Sequence, residues 1–134
     1  MSIYVDSSAL LKRYLEELDS AEADRILSLD PSWVSANVTL VEVRRTLSRD
    51  LSHFDLTRAR REFELDWGGI DVIKVDASLC ERAAEFAEAT GVRTLDALHF
   101  AAAQRAGAPR VTFVTFDLRQ ANAARSLGWT VLGT

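Results

Sequence analysis

The sequence has too few cysteines and histidines for a protein stabilised by disulfides or by a structural zinc ion. Its 134 residues include one cysteine, Cys80, and two histidines. A single cysteine excludes an internal disulfide, and this set is too small for a structural zinc site. No apolar run approaches the roughly 20 residues of a membrane span, and no basic leader with a cleavage site is present. We therefore expect a cytoplasmic protein with no membrane contact.

An excess of positive charge is also missing, since the formal net charge is −4. Phosphate binding depends on clustered Lys and Arg, which argues against a protein that coats nucleic acid nonspecifically. Six arginines and only two acids nevertheless lie between Arg44 and Arg61. A local basic surface on an acidic protein suits a selective RNA contact. Solvated faces of two helices would give the same charge pattern.

Short β-branched segments alternate with longer helical ones along the chain, which we treat as a single domain over residues 1–134. Strands are predicted at Ile3–Val5, Trp33–Ser35, Val72–Val75, Val111–Thr115 and Thr130–Leu132. Helices are predicted at Ser8–Glu17, Ser20–Leu29, Asn37–Leu51, Leu56–Trp67, Ala77–Thr90, Thr94–Ala106 and Leu118–Leu127. This alternation predicts an α/β fold in three layers, α/β/α, with a central parallel five-stranded sheet.

Four acidic residues stand near the starts of predicted helices, and each has an ordinary explanation when taken alone. Asp6 and Asp117 follow strands and are suitable N-caps. Asp96 lies in a first helical turn, where the helix dipole favours an acid. Glu42 falls away from the apolar face of its helix and could pair with Arg45 on the surface. None of the four is a specific signal by itself.

Parallel topology couples these four acids. With right-handed crossovers, a helix begins at the carboxyl edge of the sheet, beside the end of the preceding strand. Asp6 and Asp117 lie on that edge, and Glu42 and Asp96 belong to early turns of helices that begin there. If the first and fourth strands are central neighbours, the crevice between them is the switch point where such sheets bind ligands. We therefore expect all four carboxylates in one cleft.

A cluster of carboxylates needs a compensating cation, because the like charges repel each other. Oxygen-only ligation favours Mg²⁺ or Mn²⁺ over zinc. Such an ion can activate water and neutralise charge on a phosphodiester. This chemistry needs no histidine base. His99, one turn after Asp96, could line the cleft, but a packing or surface role is the favoured interpretation, and His53 is expected in a connecting loop.

Further candidates surround the acids. Hydroxyls that could orient a carboxylate or a metal-bound water are those of Ser7, Ser8 and Thr115. For the two serines, simple helix capping is an equally good interpretation. Gln120, three residues after Asp117, could complete a capping box. Arg45 and Arg49 share the Glu42 side of their helix and are candidates to bind RNA phosphates, with a local ion pair as the alternative.

Four motifs together resemble a known family. They are Val-Asp-Ser-Ser-Ala-Leu-Leu-Lys from position 5, Thr-Leu-Val-Glu-Val-Arg-Arg from 39, Thr-Leu-Asp-Ala-Leu-His-Phe-Ala-Ala-Ala from 94 and Val-Thr-Phe-Asp from 114. In order and spacing they resemble the PIN-domain family and, more narrowly, the VapC toxins of bacterial toxin–antitoxin pairs. The resemblance covers essentially the whole chain.

The resemblance implies a single-strand endoribonuclease with an acidic quartet that binds Mg²⁺ or Mn²⁺. Carried over, the quartet falls on Asp6, Glu42, Asp96 and Asp117, and Thr115 matches the family's hydroxyl two residues before the last acid. It also implies a homodimer and inhibition by a cognate antitoxin. Apolar residues of the first helix and the segment after it could form a groove for that partner or simply belong to the core, namely Leu10, Leu11, Tyr14, Leu15 and Leu18.

Other functions fit the residues less well. A haloacid-dehalogenase phosphatase needs a second Asp two residues after the first, where Ser8 stands. A receiver domain needs a late lysine, but Lys74 is the last lysine in the chain. A nuclease acting on structured DNA lacks an insertion long enough for a helical arch. A catalytically silent PIN-fold binding module is the remaining alternative, and the complete acidic set argues against it.

Overall fold

A computed structural model describes residues 2–134. Its five strands are β1 (Ile3–Val5), β2 (Trp33–Ala36), β3 (Asp71–Ile73), β4 (Thr112–Thr115) and β5 (Val131–Gly133). Within that range, the helices are α1 (Ser7–Leu11), α2 (Ser20–Leu27), α3 (Val38–Asp50), α4 (His53–Trp67), α5 (Ala77–Thr90), α6 (Thr94–Ala106) and α7 (Leu118–Ser126). None of the helices in this range is long and apolar enough to cross a membrane.

All neighbouring strands run parallel, in the order β3-β2-β1-β4-β5. The central pair is β1 and β4, with Tyr4 opposite Phe113 and Val5 opposite Val114. The predicted three-layer α/β fold is therefore confirmed. Strand order reverses between β1 and β4, because the chain moves outward from β1 through β2 to β3 and then returns to the other side of β1. This places the switch point where the sequence predicted it.

The side chains of β1 alternate between the two faces of the sheet, as strand geometry requires. Ile3 and Val5 pack with residues of α1 to α4 in one apolar cluster, whereas Tyr4 belongs to a second cluster with α5, α6 and α7. The second cluster combines several alanines of α6 with large aromatic rings. Small side chains on α6 allow it to lie close to the sheet, which brings its first turn near the strand ends.

The first helix is shorter than predicted. It ends at Leu11, not near Glu17, and is followed by turns. Lys12 binds Glu17 and Asp19 at 3.0 and 2.9 Å, and these ion pairs close the connection to α2. Leu18 is fully exposed in this connection. The apolar residues whose spacing predicted a longer helix, Tyr14 and Leu15, instead pack from the turns that follow α1.

The start of α4 was also predicted wrongly. The helix begins at His53, so this histidine does not lie in a connecting loop, and its φ is +49°. Ser52 stands in extended conformation at the N-cap position, and Asp55 lies in the first turn. At that place Asp55 complements the helix dipole. The strand β1 and the helices α5 and α6 have the predicted bounds, and the remaining boundaries lie within two residues of the predictions.

Candidate active site

The candidate active site lies at the carboxyl edge of the sheet, between β1 and β4. Asp6 directly follows β1, and its backbone N–H donates to Val114 O at 3.2 Å. Asp117 lies two residues after the end of β4. Parallel strands present their carboxyl ends at one edge, so the two aspartates lie on either side of the switch point.

Asp6 occupies a closed environment in which it is 2% exposed. Ser8 Oγ donates to its two oxygens at 2.8 and 2.9 Å, Thr115 Oγ1 donates to Oδ2 at 2.6 Å, and the backbone N–H of Ala9 donates to Oδ1 at 2.9 Å. Asp6 is therefore both the N-cap of α1 and the acceptor for two of the three hydroxyls that the sequence predicted as its support.

The same hydroxyls hold the turn after β4. Ser8 Oγ accepts from Phe116 N at 2.9 Å, and Thr115 Oγ1 accepts from Asp117 N at 3.1 Å. Ser7, the third predicted hydroxyl, is half-buried, and its side chain makes no hydrogen bond within residues 2–134. Ser8 and Thr115 thus join the ends of the two central strands, while Ser7 does not take part.

Gln120 is a buried link that sequence reasoning missed. Its Oε1 lies 2.9 Å from Thr115 Oγ1, whose single hydroxyl hydrogen faces both this oxygen and Asp6, and its Nε2 donates to Asp96 Oδ1 at 3.2 Å. Its backbone N–H donates to Asp117 Oδ1 at 3.2 Å. Only half of the predicted capping box therefore forms, because the Gln120 side chain turns inward. The sequence signal was an uncharged amide in the first turn of α7, where a reciprocal cap was the simpler interpretation.

Glu42, Asp96 and Asp117 line one open cleft of about 560 Å³, with Arg93, Thr94 and Leu95 along its wall. Asp6 lies behind this cleft and is connected to it through Thr115 and Gln120. The structure thus brings three of the four predicted acids to a common open surface. The fourth lies in the buried layer underneath.

The electrostatics of the cleft favour an added positive charge. Burial raises the pKa of Asp96, and repulsion by Asp117 and Glu42 raises it further, against the attraction of His99 and Arg93. Burial also raises the pKa of Asp6, against the attraction of His99 and the hydrogen bonds from Thr115, Ala9 and Ser8. The nearby cations therefore do not fully compensate these carboxylates.

Of the roles expected from the sequence, His99 takes the packed one, edge-on against Tyr4, and it also makes a polar contact at each ring nitrogen. It is 2% exposed, and its Nε2 lies 2.7 Å from Glu42 Oε1. Its Nδ1 lies 2.8 Å from the Tyr4 hydroxyl. Burial lowers the pKa of His99, but Glu42, Asp6 and Asp96 outweigh that effect and raise it. One available signal was its position three residues after Asp96, which places both on one side of α6.

Glu42 is not an exposed partner of Arg45. The side chain is 21% exposed and turns toward α6, where it meets His99. Val43 and Leu47 of α3 are fully buried, while Val41 is 67% exposed. Glu42 consequently lies at the margin of the buried face of α3, a position that depends on how α3 is rotated against its neighbours. The helical repeat alone does not determine that rotation.

Arg45 and Arg49 are exposed and do not line the cleft. Arg49 Nε donates to the neighbouring Asp50 at 2.8 Å, which is the local ion pair given as the alternative. Their contact with RNA stays a prediction. The arginine that does line the cleft is Arg93, just before α6. It carried no sequence signal because it lies outside the arginine-rich segment.

The donor chemistry of the cleft fits a hard divalent cation. Glu42, Asp96 and Asp117 each use one carboxylate oxygen in a hydrogen bond, and the second oxygen has no protein hydrogen bond within the described chain. Free carboxylate oxygens are the ligands that Mg²⁺ prefers. Across residues 2–134, however, no three His, Cys, Asp or Glu side chains already converge as a metal-binding group. A cation would therefore have to draw these carboxylates together.

Comparisons with known proteins agree with this architecture. The PIN domain family model matches residues 3–126. Ribonuclease VapC46 of Mycobacterium tuberculosis is 33% identical over 131 residues, covering 98% of this chain and 96% of the relative. Ribonuclease VapC35 of the same species is 33% identical over 134 residues, covering 97% and 95%.

Solved structures share the fold at lower identity. The crystal structure of M. tuberculosis VapC20, described as a sarcin–ricin-loop-cleaving toxin, superposes with a TM-score of 0.77 at 22% identity, covering 98% of this chain and 99% of that one. DNA-bound VapBC from Salmonella typhimurium gives a TM-score of 0.69 at 14% identity, with 99% and 98% covered.

Proposed function

The chain belongs to the PIN-domain family, and from that premise we propose that it is a metal-dependent endoribonuclease acting as the toxin of a toxin–antitoxin pair. Two relatives at 33% identity are named ribonucleases and match nearly the whole chain. The observation that carries the proposal is the cleft at the switch point, where Glu42, Asp96 and Asp117 each present an oxygen that accepts no hydrogen bond from residues 2–134.

Glu42, Asp96 and Asp117 would hold Mg²⁺ or Mn²⁺, with Asp6 as the fourth predicted ligand. Each Asp6 oxygen already accepts two hydrogen bonds, so Asp6 would have to give up one of them, such as the hydroxyl of Ser8 that both oxygens share, to bind the ion. When bound, such an ion supplies charge neutralisation at the phosphodiester and an activated water.

Two residues fix the buried side of this cleft. Thr115 holds Asp6, and Gln120 joins Thr115 to Asp96, so the carboxylates of β1 and α6 are oriented by one hydrogen-bonded chain. Orientation of ligands by such partners usually changes metal affinity or activity by about 10- to 100-fold. Arg93, on the cleft wall, would bind an RNA phosphate beside the acids.

The antitoxin would bind away from the cleft. A groove of about 530 Å³ is lined by Tyr14, Leu15, Leu51 and Arg58, together with acids at its rim. Leu10 and Tyr14 of the predicted groove are buried in the core, and Leu11 and Leu15 pack against it, so only part of that set can contact a partner. A helix with apolar and basic side chains would suit this surface.

The partner proposal is tested by co-purification with the product of the neighbouring small open reading frame. Leu15→Arg should abolish capture of that product, whereas Leu65→Arg, at a residue that is 76% exposed on α4, should leave it unchanged. Capture that is equally strong with both variants would reject the groove. Homodimerisation stays a prediction from the family and is tested by sedimentation of the purified toxin.

The catalytic proposal is tested by incubating total cellular RNA with antitoxin-free protein in Mn²⁺, in Mg²⁺ and in EDTA. Discrete products are expected with metal and none with EDTA. Asp96→Asn should lower cleavage by at least about 100-fold, at or beyond the effect of losing an orienting partner. Cleavage that persists in EDTA or in the variant would contradict the proposal. Binding of RNA or DNA without cleavage would favour the silent binding module.

A further inference from the structure

His99 joins the aromatic core to the acidic cleft. Its ring is 2% exposed and makes one hydrogen-bond contact at each nitrogen, to the Tyr4 hydroxyl at 2.8 Å and to Glu42 Oε1 at 2.7 Å. The three residues come from β1, α3 and α6. No other hydrogen bond to the Glu42 side chain occurs within residues 2–134.

The partners determine which atoms donate. An ionised carboxylate only accepts, so His99 Nε2 carries a hydrogen and donates to Glu42. In the neutral imidazole, Nδ1 then has a lone pair and accepts the Tyr4 O–H. In the imidazolium form Nδ1 also carries a hydrogen and donates to the Tyr4 oxygen, so in this hydrogen-bonded chain the bond from Nε2–H to Glu42 has the same direction in both forms.

The core end of this chain is fixed by packing. Tyr4 is fully buried on the central strand and stacks on Phe113, with ring centroids 5.4 Å apart and an interplanar angle of 5°. The His99 ring meets Tyr4 edge-on at 5.9 Å. Such rings have little freedom to rotate, whereas a glutamate side chain has several soft torsions.

We propose that His99 is a positioning residue that holds Glu42 so that its second oxygen faces the cleft as a preformed ligand for a divalent cation. This inference rests on the proposed function. Without the tether, Glu42 would sample several rotamers, and the cation would have to order it. A histidine retained only for core packing would affect folding but would not act through Glu42.

The test is a double-mutant cycle on binding of Mn²⁺ alone, measured by calorimetry without RNA. His99→Phe keeps an aromatic ring but removes both hydrogen bonds, and it is combined with Tyr4→Phe so that no buried hydroxyl is left unpaired. The double variant His99→Phe/Tyr4→Phe should bind Mn²⁺ about 10- to 100-fold more weakly than wild type. When Glu42→Gln is already present, adding the same two substitutions should lower Mn²⁺ affinity little further. His53→Phe, at the other histidine, is the matched control and should bind normally.

A second readout does not depend on metal or activity. Nitrogen chemical shifts of the His99 imidazole should show a hydrogen on Nε2 in the metal-free protein, whether the ring is neutral or charged. In Tyr4→Phe this hydrogen should persist on Nε2, because Glu42 still accepts it. A neutral Nδ1-protonated ring in the wild-type protein would overturn the inference.

The outcomes separate the inference from the function. Normal Mn²⁺ affinity in the folded His99→Phe/Tyr4→Phe protein, or an equal loss in the Glu42→Gln background, would overturn the positioning role, even if RNA is cleaved normally. The predicted coupling in a protein that cleaves no RNA would support the positioning role and reject the nuclease. Absence of Mn²⁺ binding by the wild-type protein would overturn the inference together with the metal site.

Discussion

The acidic edge of the sheet has two regions whose carboxylates are satisfied in different ways. In the closed region, Asp6 is buried and receives hydrogen bonds from Ser8, Thr115 and a backbone amide. In the open region, Asp96 and Asp117 line the cleft, and one oxygen of each has no hydrogen-bond partner among residues 2–134. The difference indicates that the carboxylate of the closed region is satisfied within the folded protein, whereas the carboxylates of the open region keep oxygens available to a ligand.

The largest expected difference between the two regions is in stability. In EDTA, Asp6→Ala should lower the free energy of unfolding by about 2–3 kcal/mol, because it removes a helix cap and leaves buried donors without an acceptor. The matched Asp96→Ala should stay within about 0.5 kcal/mol of wild type, because the loss of the hydrogen bond from Gln120 is offset by the removal of repulsion from Asp117 and Glu42. Urea unfolding measures both. Equal losses would remove the distinction between the regions.

Gln120 connects the regions, and a charge at this position should disturb both. Gln120→Glu removes the donor to Asp96 and places a third carboxylate between Asp96 and Asp6. We expect a loss of about 1–3 kcal/mol in metal-free protein at pH 7.5. The loss should shrink toward pH 5, where the new side chain can hold a proton. Wild-type stability at pH 7.5 would show that this link is not needed.

The open region should also impose a pH dependence. The pKa of Asp96 is raised above its usual 3.8 in the folded protein, so the folded state holds this proton more tightly than the unfolded state. Stability is therefore lost as the pH rises from about 4 through the folded pKa. Over that range Asp96→Ala should become more stable relative to wild type.

Asp76 provides the control of opposite sign for this titration. Arg105 and the capping amide of Leu79 lower its pKa, so its contribution is present above pH 4 and is lost as the pH falls. Unfolding midpoints of wild type, Asp96→Ala and Asp76→Ala measure both slopes, above pH 4 for Asp96 and from pH 4 down to about pH 2 for Asp76. If the unfolding midpoints of wild type and Asp96→Ala had the same pH dependence, the repulsion assigned to the carboxylates of the cleft would be contradicted.

The smallest expected effect concerns RNA binding at the cleft wall. Arg93→Ala should reduce the slope of log affinity against log salt by about 0.7, the contribution of one phosphate contact on a single strand. Anisotropy with uncleavable single-stranded RNA measures this slope. Arg110→Ala, before β4 at the opposite edge of the sheet, should leave it unchanged. The Arg45→Ala variant tests the contact predicted from the sequence.

The sequence was sufficient to predict the fold and the edge of the sheet where the acids lie. Buried strands, the helices after them and the acids at their junctions are local patterns, and parallel topology converts them into a shared edge. The contacts of Glu42, His99 and Gln120 were not predictable in this way. They depend on how α3, α6 and α7 are rotated against one another, and that rotation is set by packing of side chains distant in sequence.

The most direct test of the two-region account is calorimetric titration of Mn²⁺ into metal-free wild type, Asp96→Ala and Gln120→Leu. The account predicts saturable binding to wild type, binding at least about 10-fold weaker in Gln120→Leu because Asp96 loses its orienting donor, and a still larger loss in Asp96→Ala. Equal affinity in all three proteins would contradict the account, because the ion would then be held by residues outside the cleft.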